Sequence, residues 1–166
     1  MVVWFIGISG AGKSTLGNML HEYYSIKGIN SFIIDGDLVR EFYDNDLGYS
    51  KDDRVANIKR IMLSAYVLEK NGIIPIICNI SPFEELRAFA RQKFEDYREI
   101  FLKKDIQIAK NNDIKGVYQE NLDKTSLVGI DMVFEEPKHS DLKIAVDNEN
   151  VEASFQKLIR YLEGNE

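Results

Sequence analysis

The sequence predicts a three-layer α/β/α fold with a parallel sheet, on three observations. Short apolar runs alternate with stretches that carry helical spacing, and a parallel sheet needs a helix-length crossover between successive strands. The run Ile73 to Cys78 is apolar on both faces, as a central strand covered from both sides should be. The first run, Val2-Val3-Trp4-Phe5-Ile6, passes directly into Gly7-Ile8-Ser9-Gly10-Ala11-Gly12-Lys13-Ser14, with Thr15 following. That stretch fits G-x-x-x-x-G-K-[ST], a strand-to-helix loop for phosphate.

The loop needs glycine because its backbone must curl around an anion with successive N–H groups turned inward. The candidate phosphate contacts are Gly7, Ser9, Gly10, Ala11, Gly12, Lys13, Ser14 and Thr15. Lys13 is expected to reach the β- and γ-phosphates, and the Ser14 hydroxyl to take one Mg²⁺ position. Downstream, Leu16, Met19, Leu20 and Tyr23 recur at helical spacing and Gly28 marks the stop. The loop therefore opens a helix whose positive end faces the phosphates.

A second strand, Ser31 to Ile34, ends on Asp35-Gly36-Asp37, and a helical turn or two is expected from Leu38 to Tyr43. Ser50 can cap the next helix, with Asp53 as the acidic half of a capping box. That helix runs to Asn71, with Val55, Ile58, Met62 and Ala65 inward and Gly72 past its end. After the strand Ile73 to Cys78, Ile80-Ser81-Pro82-Phe83 precedes a helix from Phe83 to Phe94, with Pro82 at its first position and Ser81 capping. Tyr97 to Leu102 is a further strand. Between Lys103 and about Pro137 the periodicity is poor, and a short helix followed by a mobile segment is expected. Leu142 to Val146 is the last strand, and Phe155, Leu158, Ile159 and Leu162 mark a closing amphipathic helix.

The 166 residues fit one domain, 1–166, with no repeat, low-complexity tract or linker. A net charge of −6 argues against a general nucleic-acid binder, because phosphate backbones are held by clustered Lys and Arg. The lone Cys78 allows no intrachain disulfide, which suits a reducing, cytoplasmic setting. The opening apolar residues lead straight into the phosphate loop, so they do not read as a signal peptide. No apolar run approaches the roughly 18–20 residues needed to cross a bilayer.

Asp35 and Asp37 fall at the carboxyl end of a strand, the edge where parallel sheets bind ligands. One carboxylate there can hold a Mg²⁺-bound water and the other can accept the proton of an attacking hydroxyl. The plainer account is that Asp-Gly-Asp caps the next helix. Arg54 and Asn57 share a helix face, and Arg40 lies three residues past Asp37. Their donors suit phosphate or sulfate oxygens, but from spacing alone surface ion pairing with nearby acids such as Asp52 and Asp53 is the favoured account. His21, His139 and the Lys103-Lys104 pair read as solvated, and Cys78 as core.

Taken together, these stretches resemble the adenylylsulfate (APS) kinase family. The matching pieces are Gly7 to Thr15, then Asp35-Gly36-Asp37-Leu38-Val39-Arg40, Asp46-Leu47-Gly48-Tyr49-Ser50, Asp53-Arg54, Asn57-Ile58 and Ile80-Ser81-Pro82-Phe83. Lys115-Gly116-Val117-Tyr118, Gly129-Ile130-Asp131 and Glu136-Pro137 match more loosely. The phosphate loop is shared by very many NTPases, whereas the D-L-G-[FY]-S, D-R-x-x-N and I-S-P-F series is far more specific.

The resemblance implies a P-loop nucleotide kinase fold and transfer of the γ-phosphoryl of MgATP to the 3′-hydroxyl of APS. By it, Asp37 is the base, Asp35 helps hold the hydrated Mg²⁺, and Arg40, Arg54 and Asn57 grip the phosphosulfate. Tyr49 stands where the family puts a phenylalanine against the acceptor's adenine. Ile80 and Lys115 fall in acceptor-side motifs. Ser81 matches a serine described in the family as a phosphoserine intermediate, and direct in-line transfer with Ser81 as an acceptor contact is the preferred route. A homodimer and a mobile lid over about 111–131 are implied as well.

The chain departs from the family at this lid. Where R-D-P-K-G-L-Y-K-K-A-R is usual, it has Asn112-Asp113-Ile114-Lys115-Gly116-Val117-Tyr118-Gln119-Glu120-Asn121-Leu122. Leu127 replaces the second phenylalanine that sandwiches the acceptor base, and base–aromatic stacking is worth about 1–3 kcal/mol. These changes keep two alternatives open: a pyrimidine-linked acceptor such as cytidine phosphoramidate, and a nucleotide-binding relative without catalysis. A base-reading N-K-x-D element of switch proteins is absent, and shikimate- or gluconate-type kinases do not explain D-L-G-Y-S or I-S-P-F.

Overall fold

Strand β1 (Val2–Ile6) is buried along its whole length, because both of its faces are covered. Val3 and Phe5 point to one apolar cluster, with Leu16 and Leu20 of α1 (Lys13–Ile26) and Phe155 and Leu158 of α6 (Val151–Leu162). Val2, Trp4 and Ile6 point to the other, with Ile58, Ile61 and Ala65 of α3 (Lys51–Lys70) and Leu86 and Ala90 of α4 (Glu84–Lys93). The period-2 alternation of one strand thus divides two cores. This computed structural model describes residues 1–113, 116, 118 and 127–164.

The sheet has five strands in the order β2-β3-β1-β4-β5, every neighbouring pair parallel. They are β2 (Ser31–Asp35), β3 (Ile74–Cys78), β4 (Tyr97–Lys103) and β5 (Leu142–Ala145) around β1. The connection leaving β1 runs toward β2, and the one leaving β3 crosses to β4. The loops after β1 and β3 therefore splay apart at the carboxyl edge, where such sheets bind ligands. In the register, Asp35 lies opposite Cys78 and Cys78 opposite Phe5, so the phosphate loop, the Asp-Gly-Asp turn and the Ile80 loop share one edge.

The elements follow the sequence reading with informative shifts. Helix α2 (Gly36–Phe42) starts two residues before Leu38, because Asp35 caps it by accepting the Asp37 N–H at 2.9 Å. Ser50 caps α3 as expected, its Oγ accepting from the Asp53 N–H at 3.2 Å. On that helix Ile61 is fully buried beside the expected Ile58, Met62 and Ala65, while Val55 is half-buried. Helix α4 begins at Glu84 with Phe83 as its N-cap, so Pro82 is not its first residue and Ser81 does not cap it. The short helix after Lys103 is α5 (Ile106–Asn111), capped by Asp105. The mobile segment expected beyond it falls largely outside the described residues. No described helix is long and apolar enough to cross a membrane.

One close approach sets the seat of the phosphate loop. A Cβ on Gly17 of α1 would stand 2.5 Å from Cys78 Sγ, and that thiol donates to the Lys13 carbonyl at 3.3 Å. Alanine is about 1 kcal/mol better than glycine in a helix interior, but overpacking costs about 1–3 kcal/mol. Gly17→Ala is therefore expected to lower the unfolding free energy by up to about 2 kcal/mol, and Cys78→Ala to couple with it favourably. Urea unfolding of both singles and the double checks this; a Gly17→Ala variant as stable as the parent would show that α1 shifts freely.

Candidate active site

A cavity of about 590 Å³ opens at the carboxyl edge of the sheet. On the β1 side its wall is the phosphate loop, with Ser9, Gly10, Gly12, Lys13, Ser14 and Thr15 lining it. Gly10 and Gly12 have φ of 77° and 92°, the left-handed region that favours glycine. Gly7 and Ala11 stand behind this wall. A Cβ on Gly7 would meet the Leu102 carbonyl oxygen at 2.6 Å, and Ala11 belongs to the core. The first turn of α1 carries no acidic residue, so its N–H groups and positive end stay available to an anion. The Lys13 ammonium donates to the Gly7 and Ile8 carbonyls at 2.9 and 2.8 Å.

Asp35 connects the loop to the next strand. Its Oδ2 accepts from Ser14 Oγ at 3.1 Å while its Oδ1 caps α2. Capping and site-building are thus not alternatives here, because one carboxylate has oxygens for both. Asp37 is exposed and lines the cavity. The turn between them requires glycine: a Cβ on Gly36 would lie 2.3 Å from Asn79 Nδ2.

On the side away from the phosphate loop, Arg40, Arg54 and Asn57 line the cavity although they are only 6 %, 9 % and 2 % exposed. Arg40 Nη1 donates to the Leu47 and Gly48 carbonyls at 3.1 and 2.7 Å, and Arg54 Nε to the Tyr49 carbonyl at 3.0 Å. Both guanidinium groups approach the Tyr49 ring, at 4.5 and 5.3 Å from its centroid. Burial, and then the charge of Arg40, hold the Arg54 pKa below its ordinary value; Tyr49 and Asp37 oppose that. Two desolvated like charges beside one cavity make a site for an anion that neutralises both. Surface pairing with Asp52 and Asp53 does not account for these arginines. Asn57 Nδ2 donates to the Gly36 carbonyl at 3.2 Å, and its buried Oδ1 has no hydrogen-bond partner among the described residues, an unmet acceptor at the cavity wall.

The β3–α4 loop adds Asn79, Ile80 and Pro82 to the wall. Ser81 does not line the cavity: it is 2 % exposed and its side chain is turned into the fold. Trp4 Nε1 donates to Ser81 Oγ at 2.9 Å, and both the Oγ–H and N–H of Ser81 donate to Asn79 Oδ1 at 2.9 Å. Its φ is 48°, a conformation that costs a non-glycine residue about 1–2 kcal/mol. Leu127 lies in a turn closed by the Asp131 carboxylate on its N–H at 2.9 Å and does not line the cavity either. Lys115 is outside the described residues.

The structure adds residues that sequence reasoning passed over. Asn79 reaches both the Gly36 turn and Ser81, yet no motif marks it. Lys104 lines the cavity, whereas Lys103 pairs with Glu136 in solvent. Cys78, expected in the core, is buried and also touches the cavity floor. His21, expected to be solvated, is half-buried against Ser31 at 2.8 Å. Just after α5, Asn112 and Asp113 reach the cavity wall, and the Tyr118 hydroxyl donates to the Ser9 carbonyl at 3.0 Å. Burial and the Asp113 carboxylate push the Tyr118 pKa up to about 12, so it remains a donor at neutral pH.

The Adenylylsulphate kinase family model matches residues 1–145. An adenylyl-sulfate kinase of Picosynechococcus is 37% identical over 164 residues, covering 98% of this chain and 93% of its own length. One from Geotalea uraniireducens is 38% identical over 167 residues, covering 98% and 80%. Among solved structures, an APS kinase of Mycobacterium tuberculosis in complex with AMPPNP and APS superposes with a TM-score of 0.91 at 33% identity, covering 98% of this chain and 96% of that one.

Proposed function

The chain belongs to the adenylylsulphate kinase family, and from that premise we propose that it transfers the γ-phosphoryl of ATP to the 3′-hydroxyl of adenylylsulfate. The observation that carries this reading is the meeting, in one cavity, of a phosphate loop, the Asp37 carboxylate and the Arg40–Arg54 pair. In the reaction the acceptor oxygen attacks the γ-phosphorus, the bond from that phosphorus to the β–γ bridging oxygen breaks, and ADP leaves. Asp37 takes the proton of the attacking hydroxyl. Arg40 and Arg54 bind the phosphosulfate anion, Asn57 and Ile80 flank it, and Tyr49 offers an aromatic face to the acceptor base. Lys115 and Leu127 belong to the lid side of the acceptor in this reading, and Ser81 acts on the acceptor through the loop it holds rather than as a nucleophile.

Mg²⁺ fits the residues present, since the Ser14 hydroxyl and an Asp35 carboxylate oxygen lie 3.1 Å apart beside the loop, a hard oxygen pair of the kind that binds this ion through few protein ligands. When bound, the ion neutralises charge on the β- and γ-phosphates. In this reading residues 1–166 form one cytoplasmic domain with a lid over about 111–131, working as a homodimer on nucleotide substrates.

The pyrimidine acceptor is not favoured, because the curated relatives that span the chain are adenylyl-sulfate kinases. With MgATP, kcat/KM for adenylylsulfate is expected to exceed that for cytidine phosphoramidate by about 5- to 150-fold, the range that about 1–3 kcal/mol of base stacking supplies. The reverse preference would sink the assignment. ATP binding with no transfer to either acceptor would instead mark a non-catalytic relative.

A further inference from the structure

We propose that Arg87 is a positioning residue for the acceptor site: buried in α4, it fixes the left-handed Ser81 and so the cavity wall formed by Asn79, Ile80 and Pro82. This rests on the kinase reading above but concerns a residue that lines no part of the cavity. Arg87 is 3 % exposed. Its Nη1 donates to the Ser81 carbonyl at 2.7 Å and its Nη2 to the Glu135 carbonyl at 2.6 Å, beside an ion pair with Glu84. The Glu135 N–H donates to the Pro82 carbonyl at 3.0 Å, and the Glu135 carboxylate accepts from the Glu84 N–H at 2.6 Å. The loop is thus clamped to the strand of chain that follows the lid.

A non-glycine residue at positive φ persists only where its surroundings over-determine it. Ser81 has such surroundings: Trp4 on its hydroxyl, Asn79 on its hydroxyl and N–H, and Arg87 on its carbonyl. Arg87 joins this loop by hydrogen bonds to a second segment, at the Glu135 carbonyl, which a planar fork can do and a lysine ammonium cannot do in the same geometry. The Phe134 ring, 5.8 Å away, and Glu99, 3.9 Å from Nε, complete its enclosure. Released from Arg87, the Ser81 peptide is free to leave the left-handed region, and the residues on either side of it form the wall. One bond joins the phosphate loop to this loop, the Gly7 N–H on the Ile80 carbonyl at 3.3 Å, but the donor side has separate supports in Lys13 on the Gly7 and Ile8 carbonyls, Ser14 on Asp35 and Cys78 on the Lys13 carbonyl.

Arg87→Met is expected to raise KM for adenylylsulfate about tenfold, with KM for ATP and kcat at saturating acceptor within about twofold. Arg87→Lys is expected to fall between, at about threefold, and carries the test if the methionine variant does not fold. A second readout needs no turnover. Trp4 is the sole tryptophan and donates to Ser81, so a shift of its emission in the folded variant reports the loop directly. A purely structural arginine would lower Tm and the active fraction while leaving acceptor KM and Trp4 emission unchanged; that result, or KM for ATP rising in step with acceptor KM, overturns the proposal. Wild-type turnover of adenylylsulfate, run in parallel, reports on the functional reading separately. Were another acceptor used, the same KM split would be read on that acceptor.

Discussion

Asp37→Asn is expected to lower kcat by about 10²- to 10⁴-fold, the range a positioned general base supplies, with the Kd for ATP within about twofold. Two features separate the effects. Asp37 is exposed to the cavity and its side chain makes no hydrogen bond or ion pair among the described residues, whereas Asp35 next to it both caps α2 and bonds Ser14. The Asp37 N–H, which the cap uses, survives the substitution. The amide matches the carboxylate in size but cannot take the acceptor's proton. Steady-state kinetics with calorimetric titration of ATP checks the split. If Asp37→Asn kept wild-type kcat, the base would have to be sought elsewhere; if ATP binding fell with kcat, Asp37 would belong to the donor site. Asp35→Asn makes the contrast, since it should weaken the MgATP side as well.

Arg54→Ala is expected to raise KM for adenylylsulfate by about 10- to 100-fold, with little change in Tm. Hydrogen bonds to charged groups contribute about 1.5–3 kcal/mol, and each 1.4 kcal/mol is tenfold in affinity. The stability side follows from the sign of its titration. Burial and the neighbouring Arg40 hold the Arg54 pKa below its ordinary value, so folding disfavours its charged form. Removing that charge offsets part of the lost contact with Tyr49. Arg54→Lys should recover little, because an ammonium cannot donate to Tyr49 and to a phosphosulfate in one plane. Acceptor titrations and thermal unfolding without ligand decide it: an unchanged KM, or a large fall in Tm, removes Arg54 from the acceptor site.

The two arginines and Asp37 show how far the sequence reached. Their spacing was compatible with a shared site, but by itself it favoured surface pairing of the arginines with acids such as Asp52 and Asp53. What separates the readings is the fold of Leu47-Gly48-Tyr49, whose carbonyls hold both guanidinium groups over one ring. Ser81 shows the converse. The I-S-P-F motif identified the right loop, and local rules then suggested a capping serine before a helical proline. The structure turns that hydroxyl to Trp4, which lies 77 positions earlier in the chain.

By itself the sequence determined the parallel α/β class, the seat of the phosphate loop, the Asp-Gly-Asp turn and the Ser50 cap, because glycine geometry, apolar period and capping act over a few residues. Only the tertiary structure decided which side chains at the sheet edge face the cavity. Asn79 and Lys104 do and Ser81 does not, and those directions depend on partners distant along the chain, which no local pattern encodes.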